Sequence, residues 1–343
     1  MFFIHIGQKK TGTTSLQNFF AKNAVALDAA GVCYTELRRG NTHHTLAQSF
    51  VKQRPELAHL PGELKKLAQD FPNRHFLFSS EIFSRLPAEA IERLAELLKP
   101  HEVRILAYVR NFADQKVSFY NQRTKSGANI LDFDEFFDHE RFVRNGYENI
   151  GKWSRVFGKD NVRVAALDAL TGENALFRDA LAAIGLSFDR LHPIDPDSLV
   201  ARNVAYGWKV TEVFRMLSAQ LWPREQVRPD RRLVKRRPHK RVVLGECERI
   251  ASEFGFARDR TPYLTKKQAD QLRSEYVEAI DKLRDFVCEP VVIGEWKEAE
   301  ERPFLPSIER IPAAERQAFA EALAGSKLRK RLPGLEKAIS RLA

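Results

Sequence analysis

The sequence predicts an α/β fold in which a parallel central sheet is flanked by helices and followed by a helical lobe. The apolar residues 2–6 run into a glycine-bounded loop and then into a segment with helical periodicity. Over residues 1–190, short apolar runs continue to alternate with helical segments. Such alternation is typical of parallel strands joined by crossover helices. After about residue 190 no convincing buried strand follows, which favours a mainly helical lobe over 191–343.

Each predicted element follows from a local pattern. Strands are placed on short apolar runs bounded by turn residues, and helices where apolar residues recur at helical spacing. The predicted strands are 2–6, 32–34, 75–79, 103–109 and 162–167. The predicted helices are 13–30, 56–70, 88–98, 112–126, 174–185, 203–221, 265–287 and 313–324. We expect the lobe to pack on the core, so that residues 1–343 form a single domain.

Composition favours an intracellular enzyme. The chain has 343 residues, of which 43% are hydrophobic, enough for a substantial core. Its cysteines, Cys33, Cys247 and Cys288, are far apart and odd in number, unlike a disulfide framework or a metal site. We find no secretion signal at the N-terminus and no apolar run near the roughly 18 residues of a membrane helix. We therefore expect a cytoplasmic protein, with peripheral contact at the inner face of the membrane as a further option.

The loop after the first strand resembles a phosphate loop that has lost its usual lysine. Gly7 and Gly12 keep the glycine spacing of the pattern G-x-x-x-x-G-K-[ST], which binds nucleoside triphosphates. Thr13 stands where that pattern has lysine, and Lys9 and Lys10 lie inside the loop instead. The spacing predicts an anion at a helix N-terminus, whereas the displaced lysine argues against ordinary triphosphate chemistry.

Several features of this loop suit an anion. Gly12 lets the backbone approach a ligand closely, and the helix start offers free N–H groups and partial positive charge. The hydroxyls of Thr13, Thr14 and Ser15 can donate to phosphate oxygens, and Lys10 adds a full charge. The alternative is a plain strand–turn–helix with a hydroxyl N-cap.

A second candidate anion site follows the predicted strand 103–109. Arg110 comes directly after that strand, and Ser118 lies eight residues later in a predicted helix. The planar guanidinium fork suits phosphate, and a helix hydroxyl can complete the site. Taken alone, the pair favours the other interpretation, an arginine in a salt bridge and an incidental serine. The phosphate loop tips the balance toward an anion site.

Together these motifs resemble those of the sulfotransferase family, in its bacterial branch. The run Lys10-Thr11-Gly12-Thr13-Thr14 is similar to the family's 5′-phosphosulfate loop, and Arg110 with Ser118 to its 3′-phosphate site. The recognisable motifs cover about residues 2–20 and 104–122. The resemblance implies a P-loop-like fold that extends to about residue 190.

The resemblance also implies a cofactor and a chemistry. The sulfuryl donor would be 3′-phosphoadenosine 5′-phosphosulfate, used without a metal. Lys10 would stabilise the leaving phosphate as negative charge develops on it. The residues that would bind the donor are Lys10, Thr11, Gly12, Thr13, Thr14, Ser15, Arg110 and Ser118.

The acceptor needs a base, and Glu81 is the first candidate. It follows the apolar strand 75–79 at the edge expected to hold the phosphate loop, and a carboxylate there can accept the acceptor's proton. An acid after an apolar strand is also how a triphosphate enzyme holds magnesium, so both roles stay open. His43 and His44 are weaker candidates for the acceptor side, with ordinary loop polarity as the alternative. His5, inside the first strand, is expected to be a core histidine.

Most of the positive charge lies in one segment, residues 224–241. It holds nine lysines and arginines against two acids, a net +7 of the chain's +11. Such a segment can attract an anionic substrate or a membrane surface, with Arg236 and Arg237 as candidate substrate contacts. The alternative is a solvated basic loop. Nucleic acid is disfavoured, because no aromatic residue interleaves the charges as a stacking platform.

We therefore expect a sulfotransferase that modifies a hydroxyl, or as second choice an amine, on a sugar, glycolipid or small metabolite. The alternative enzyme is a magnesium-dependent, nucleotide kinase-like phosphotransferase that binds ATP. The alternative outside enzymes is an anion-binding or nucleic-acid-binding protein that uses residues 224–241.

Overall fold

A parallel sheet of five strands flanked by helices forms the core of the structure, a computed structural model. The α/β class and the parallel sheet predicted from the sequence are confirmed. The residues that the structure describes are 1–51, 55–139, 145–199, 207–221, 240–256, 261–296, 298, 301–326, 328 and 334–342.

The strands are β1 (Phe2–Ile6), β2 (Val32–Cys33), β3 (His75–Ser80), β4 (Val103–Val109) and β5 (Val162–Ala166). They lie in the order β2-β3-β1-β4-β5, and every neighbouring pair is parallel. All residues of β1 are buried, which explains its nearly unbroken apolar sequence. The chain leaves β1 toward β2 and β3 on one side and later crosses to β4 on the other. Ligands of open α/β sheets bind at the carboxyl ends of the strands around such a switch point.

Helices account for the remaining regular structure, apart from short 3₁₀ turns. In chain order they are α1 (Thr13–Lys22), α2 (Ala24–Ala29), α3 (His44–Ser49), α4 (Leu60–Asp70), α5 (Ala88–Leu98), α6 (Phe112–Lys125), α7 (Phe133–His139), α8 (Asn145–Phe157), α9 (Ala175–Ala183), α10 (Trp208–Leu221), α11 (Lys240–Glu253), α12 (Lys266–Leu283), α13 (Ala313–Ala324) and α14 (Leu335–Leu342). Each helix predicted from the sequence has a counterpart here, whereas α3, α7, α8, α11 and α14 are additional. None of the described helices combines the length and apolar character needed to cross a bilayer.

The helix predicted over 13–30 is in fact two helices, separated at Asn23. The buried Asn23 amide donates to the Phe19 carbonyl (2.8 Å) and to Ser198 Oγ (2.9 Å). Its oxygen accepts the Asp195 backbone N–H (2.7 Å). An asparagine side chain that bonds to the backbone competes with the helical ladder. The interruption therefore depends on a segment far along the chain, which periodicity cannot reveal.

The chain divides into two compact units. The first comprises Met1–Gln115, Val143–Arg202 and Leu272–Lys297, and contains the sheet; the second comprises Lys116–Phe142, Asn203–Gln271 and Glu298–Ala343. An apolar cluster from β1, α1 and α9 forms part of the first core. Apolar residues of α10, α11, α13 and α14 contribute to the core of the second, whose described regular elements are helical. A single domain with a core ending near residue 190 stays a prediction.

We expect Asn23→Ala to lower the free energy of unfolding by about 1–3 kcal/mol, because it leaves the part-buried backbone N–H of Asp195 and the buried hydroxyl of Ser198 without their partner. Urea denaturation measures the change. The matched control is Asn73→Ala, at an exposed turn position, which should leave the unfolding midpoint in place. An unchanged midpoint for Asn23→Ala would show that its three hydrogen bonds do not stabilise the fold.

Candidate functional site

Three polar segments meet where β1, β3 and β4 end. β1 continues into the loop 7–12, β3 is followed by Glu81, and β4 by Arg110. The Gly7 N–H donates to the carbonyl of Ser80, the last residue of β3 (3.2 Å). On the other side, Arg110 Nη1 donates to the Lys10 carbonyl (3.4 Å). The structure thus brings the loop, Glu81 and Arg110 together at the expected edge.

Two buried threonines hold the loop in shape. Thr11 Oγ1 donates to the Gln8 carbonyl at 2.9 Å, and Thr13 Oγ1 donates to the same oxygen at 3.1 Å. A side chain at Gly7 would overlap that of Thr13, so only glycine fits there. The position that holds lysine in triphosphate-binding loops is therefore filled by a short buried side chain bonded inside the loop. The Thr13 hydroxyl, which we expected to face an anion, is engaged with Gln8.

The backbone of the loop takes two left-handed turns. Lys10 has φ +66° and Gly12 has φ +75°. A Cβ on Gly12 would also lie 2.6 Å from Leu176 Cδ2, so this glycine is required twice over. A lysine with positive φ is uncommon. Left-handed residues within a turn arrange successive N–H groups around a concavity that suits an anion.

The first turn of α1 has a partial positive charge that no acidic side chain within the turn neutralises. It contains no acidic residue, and no side chain caps its N–H groups. Thr14 is exposed and Ser15 is half-buried, so these two hydroxyls lie at the accessible start of the helix. The aligned peptide dipoles place a partial positive charge at the same point. Loop and helix together form a candidate oxyanion site.

Lys10 adds a formal charge to this edge. Burial lowers the pKa of its ammonium, and the positive charges of Arg110 and Lys9 lower it further, while Glu81 opposes the shift. The charged form is thus disfavoured by its surroundings. An anion bound beside Lys10 and Arg110 would relieve that cost.

Arg110 and the start of α6 hold the loop from the side of β4. The side chain of Arg110 is 31% exposed, and its Nη2 lies 3.5 Å from Asp114 Oδ2. Gln115 Nε2 donates to the Lys9 carbonyl at 2.6 Å. Gln115 does not stand out in the sequence. Its place in the first turn of a helix that follows an arginine-ended strand is the signal that could have identified it.

Glu81 lies next to a histidine. His44 begins α3, is half-buried, and forms a hydrogen bond through Nδ1 with Ser80 Oγ (2.8 Å). Burial lowers the pKa of His44; the Glu81 carboxylate counteracts this, and the Arg85 guanidinium reinforces it. Two groups able to accept a proton, Glu81 and His44, therefore interact electrostatically near the end of β3.

His43 has a different place from the one expected. It is fully buried between Tyr34 and Phe78. Its Nδ1 accepts the Ser79 backbone N–H (3.1 Å), so Nε2 carries the proton and donates to the Glu36 carbonyl (3.1 Å). Both ring nitrogens are occupied within the protein. His43 therefore has no ring nitrogen left for an acceptor, and the expectation that it faces the acceptor is wrong.

His5 is a core histidine, as expected. It is fully buried, and its Nδ1 forms a hydrogen bond with Ser79 Oγ (2.8 Å). Its Nε2 is buried without a partner. Burial lowers the pKa of both His5 and His43 to about 3, so both rings are neutral at physiological pH.

Three further predicted site residues stay predictions. Ser118 lies on α6 within the second compact unit, so its role rests on the sequence spacing. Arg236 and Arg237 lie outside the described residues, as does the basic segment up to residue 239.

Comparison of the chain with protein-family models, with curated proteins and with solved structures found no match.

The buried histidines make stability depend on pH. Unfolded His5 and His43 take up protons below about pH 6.5, whereas the folded rings stay neutral until about pH 3. Stability should therefore fall as the pH drops from about 6.5 toward 3. We expect a loss of roughly 2 kcal/mol per histidine between pH 7 and pH 5.

Urea denaturation at the two pH values measures this loss, and the range from pH 7 to pH 8 serves as the internal control. Titration of the ring carbons by NMR checks the assignment. Ring signals of either residue that titrate near pH 6 would contradict it.

Proposed function

We propose that this chain is a sulfotransferase with a P-loop-like fold that uses 3′-phosphoadenosine 5′-phosphosulfate as donor. The loop 7–12 carries the proposal. It keeps the glycines, the left-handed turns and the uncapped helix start of an anion site. The lysine position of triphosphate loops is closed by Thr13, which is bonded to Gln8, and Lys10 supplies the charge instead.

The donor's 5′-phosphosulfate would lie over the start of α1. The backbone N–H groups of Thr13, Thr14 and Ser15 and the hydroxyls of Thr14 and Ser15 would bind its oxygens. Thr11 and Gly12 would shape the loop around it. Two observations support these roles: the side chains of Thr11 and Thr13 are buried, whereas those of Thr14 and Ser15 are accessible.

Arg110 would bind the 3′-phosphate, and Ser118 would contribute a hydroxyl to it, a role that rests on its spacing from Arg110 in the sequence. The Arg110 side chain is 31% exposed, and the carboxylate of Asp114, 3.5 Å away, belongs to a side chain that is 57% exposed. An exposed ion pair of this length contributes little free energy. Arg110 can therefore exchange this partner for a phosphate at small cost.

Lys10 and Glu81 would share the chemistry of transfer. The acceptor oxygen attacks sulfur, the bond between sulfur and the bridging oxygen breaks, and the electron pair leaves with the 5′-phosphate. Lys10 would stabilise the charge that develops on that phosphate. Glu81 would take the proton of the acceptor hydroxyl, with His44 at its side as the second candidate for the base.

The acceptor we propose is a hydroxyl, or as second choice an amine, of a sugar, glycolipid or small metabolite. The proposed setting is the cytoplasm, including the inner face of the membrane. The reaction as proposed needs no metal, which separates it experimentally from a kinase-like phosphotransfer.

Donor recognition can be tested by calorimetry. We expect 3′-phosphoadenosine 5′-phosphate to bind without magnesium and much more tightly than AMP or ATP, because both of its phosphate ends meet the proposed site. Arg110→Ala should weaken this binding by about 1.5–3 kcal/mol, as for a hydrogen bond to a charged group. Arg104→Ala is the matched control, because Arg104 lies near the opposite end of β4 with its side chain 54% exposed.

Two results would argue against the donor site. Unchanged binding by Arg110→Ala would remove that residue from it. Tighter binding of ATP with magnesium than of the adenosine bisphosphate would favour the phosphotransferase alternative.

The catalytic roles can be separated by turnover and donor binding measured on the same variants. Lys10→Ala should lower turnover by roughly 10²-fold or more, as for loss of an electrostatic stabiliser. Glu81→Gln should lower turnover by roughly 10²–10⁴-fold while donor binding stays nearly intact, because only base assistance is lost. The matched controls are Lys99→Ala and Glu96→Gln, which break an exposed ion pair of α5 and its C-terminal flank. Normal turnover of Glu81→Gln would move the base role to His44.

A further inference from the structure

Residues 34–43, which connect β2 to α3, form a loop that borders the candidate site. The strand β2 ends at Cys33, which pairs with Phe76, whereas β3 continues to Ser80. The segment 34–43 returns to this uncovered part of β3, because the His43 N–H donates to the Ser79 carbonyl (3.0 Å). Its end is therefore anchored two residues before Glu81.

The tip of this segment is a tight hairpin. Arg39 and Thr42 exchange backbone hydrogen bonds of 3.0 and 3.3 Å, and Gly40 between them has φ +59°. The turn of the hairpin is fixed by Tyr34, whose hydroxyl donates to the Asn41 carbonyl at 2.9 Å. Leu37 also has a positive φ, +55°. Such a conformation is costly for a bulky side chain and is concentrated at binding sites.

The hairpin carries two adjacent arginines. The Arg38 guanidinium lies 5.7 Å from the centre of the Tyr34 ring, which orients it. Arg39 is exposed. Within the described ranges, neither guanidinium has a carboxylate within ion-pair distance. Two neighbouring arginines that form no ion pair with a described carboxylate are suited to an oxyanion from outside the chain.

The same edge holds the proposed base. His44, directly after the hairpin, is bonded to Ser80, and Glu81 is the next residue of that strand end. Arg85, which acts electrostatically on His44, adds a third positive charge nearby. Arg110 and the start of α6 lie across β1 from β3 and hold the opposite side of the loop. The hairpin therefore borders the acceptor side of the proposed reaction.

We propose that Arg38 and Arg39 bind a carboxylate of the acceptor, which makes the acceptor an acidic saccharide that contains uronic acid. This inference rests on the proposed sulfotransferase function. The two guanidinium groups would hold the carboxylate of one sugar while a hydroxyl of the saccharide faces Glu81. Arg38 and Arg39 would then determine specificity and take no part in the bond changes.

The test compares two probes in the presence of 3′-phosphoadenosine 5′-phosphate. One is an oligosaccharide of alternating glucuronic acid and N-acetylglucosamine; the other is the same chain with its carboxyl groups reduced to alcohols. By calorimetry at low salt, the double variant Arg38→Ala/Arg39→Ala should bind the acidic probe roughly tenfold to a hundredfold more weakly than wild type. The reduced probe should bind wild type weakly and should not respond to the substitutions. At about 1 M salt the difference between the proteins should shrink.

Controls distinguish failure of this inference from failure of the proposed sulfotransferase function. The double variant should bind the adenosine bisphosphate as wild type does, and Arg104→Ala should bind the acidic probe as wild type does. Arg39→Ala alone, which leaves the contact of Arg38 with Tyr34 in place, should still weaken binding of the acidic probe.

Two outcomes overturn the inference while leaving a sulfotransferase intact: wild type binds the bisphosphate but does not prefer the acidic probe, or the double variant binds that probe as tightly as wild type. Failure of wild type to bind the bisphosphate overturns the proposed function and this inference with it.

Discussion

The candidate site depends on how three consecutive carbonyl groups are held. The oxygen of Gln8 accepts from Thr11 and Thr13, that of Lys9 from Gln115, and that of Lys10 from Arg110. These peptide bonds are trans, so each following N–H points away from the carbonyl beside it. Fixing the carbonyls toward the protein therefore turns the N–H groups of the loop away from the side chains that hold it. These hydrogen bonds hold the loop in a shape that suits an anion before any anion binds.

The order of the strands places groups of opposite charge on the two sides of the loop. β1 carries the loop in the middle, β3 places Glu81 on one side and β4 places Arg110 on the other. Neighbouring strands lie about 4.8 Å apart, so the two flanking strands are separated by roughly 10 Å. Lys10 lies between the two groups and responds to both charges. A donor bound toward Arg110 and an acceptor bound toward Glu81 would meet over the loop, which is the arrangement that the proposed transfer requires.

Much of this could be predicted because the signals are local. The strand over 103–109 and the helices over 88–98 and 313–324 match the structure at both ends, since a buried strand or an amphipathic helix is specified by its own residues. The break at Asn23 could not be predicted, because its partner Asp195 is 172 residues away. The inward direction of the Thr13 hydroxyl and the burial of His43 likewise depend on tertiary contacts. The sequence was enough to identify the loop by its residue types, but it could not predict the direction in which each side chain points.

The two serines that end β3 form hydrogen bonds with three histidines near this site. Ser79 bonds His5 through its hydroxyl and His43 through its backbone N–H, and Ser80 bonds His44. These contacts tie β1, the segment 34–43 and the start of α3 to one strand end. His5 and His43 stay neutral because burial keeps their pKa near 3, so they add no positive charge beneath the loop. Neutral histidines therefore fix the scaffold while leaving the charge balance of the edge to residues that a ligand can reach.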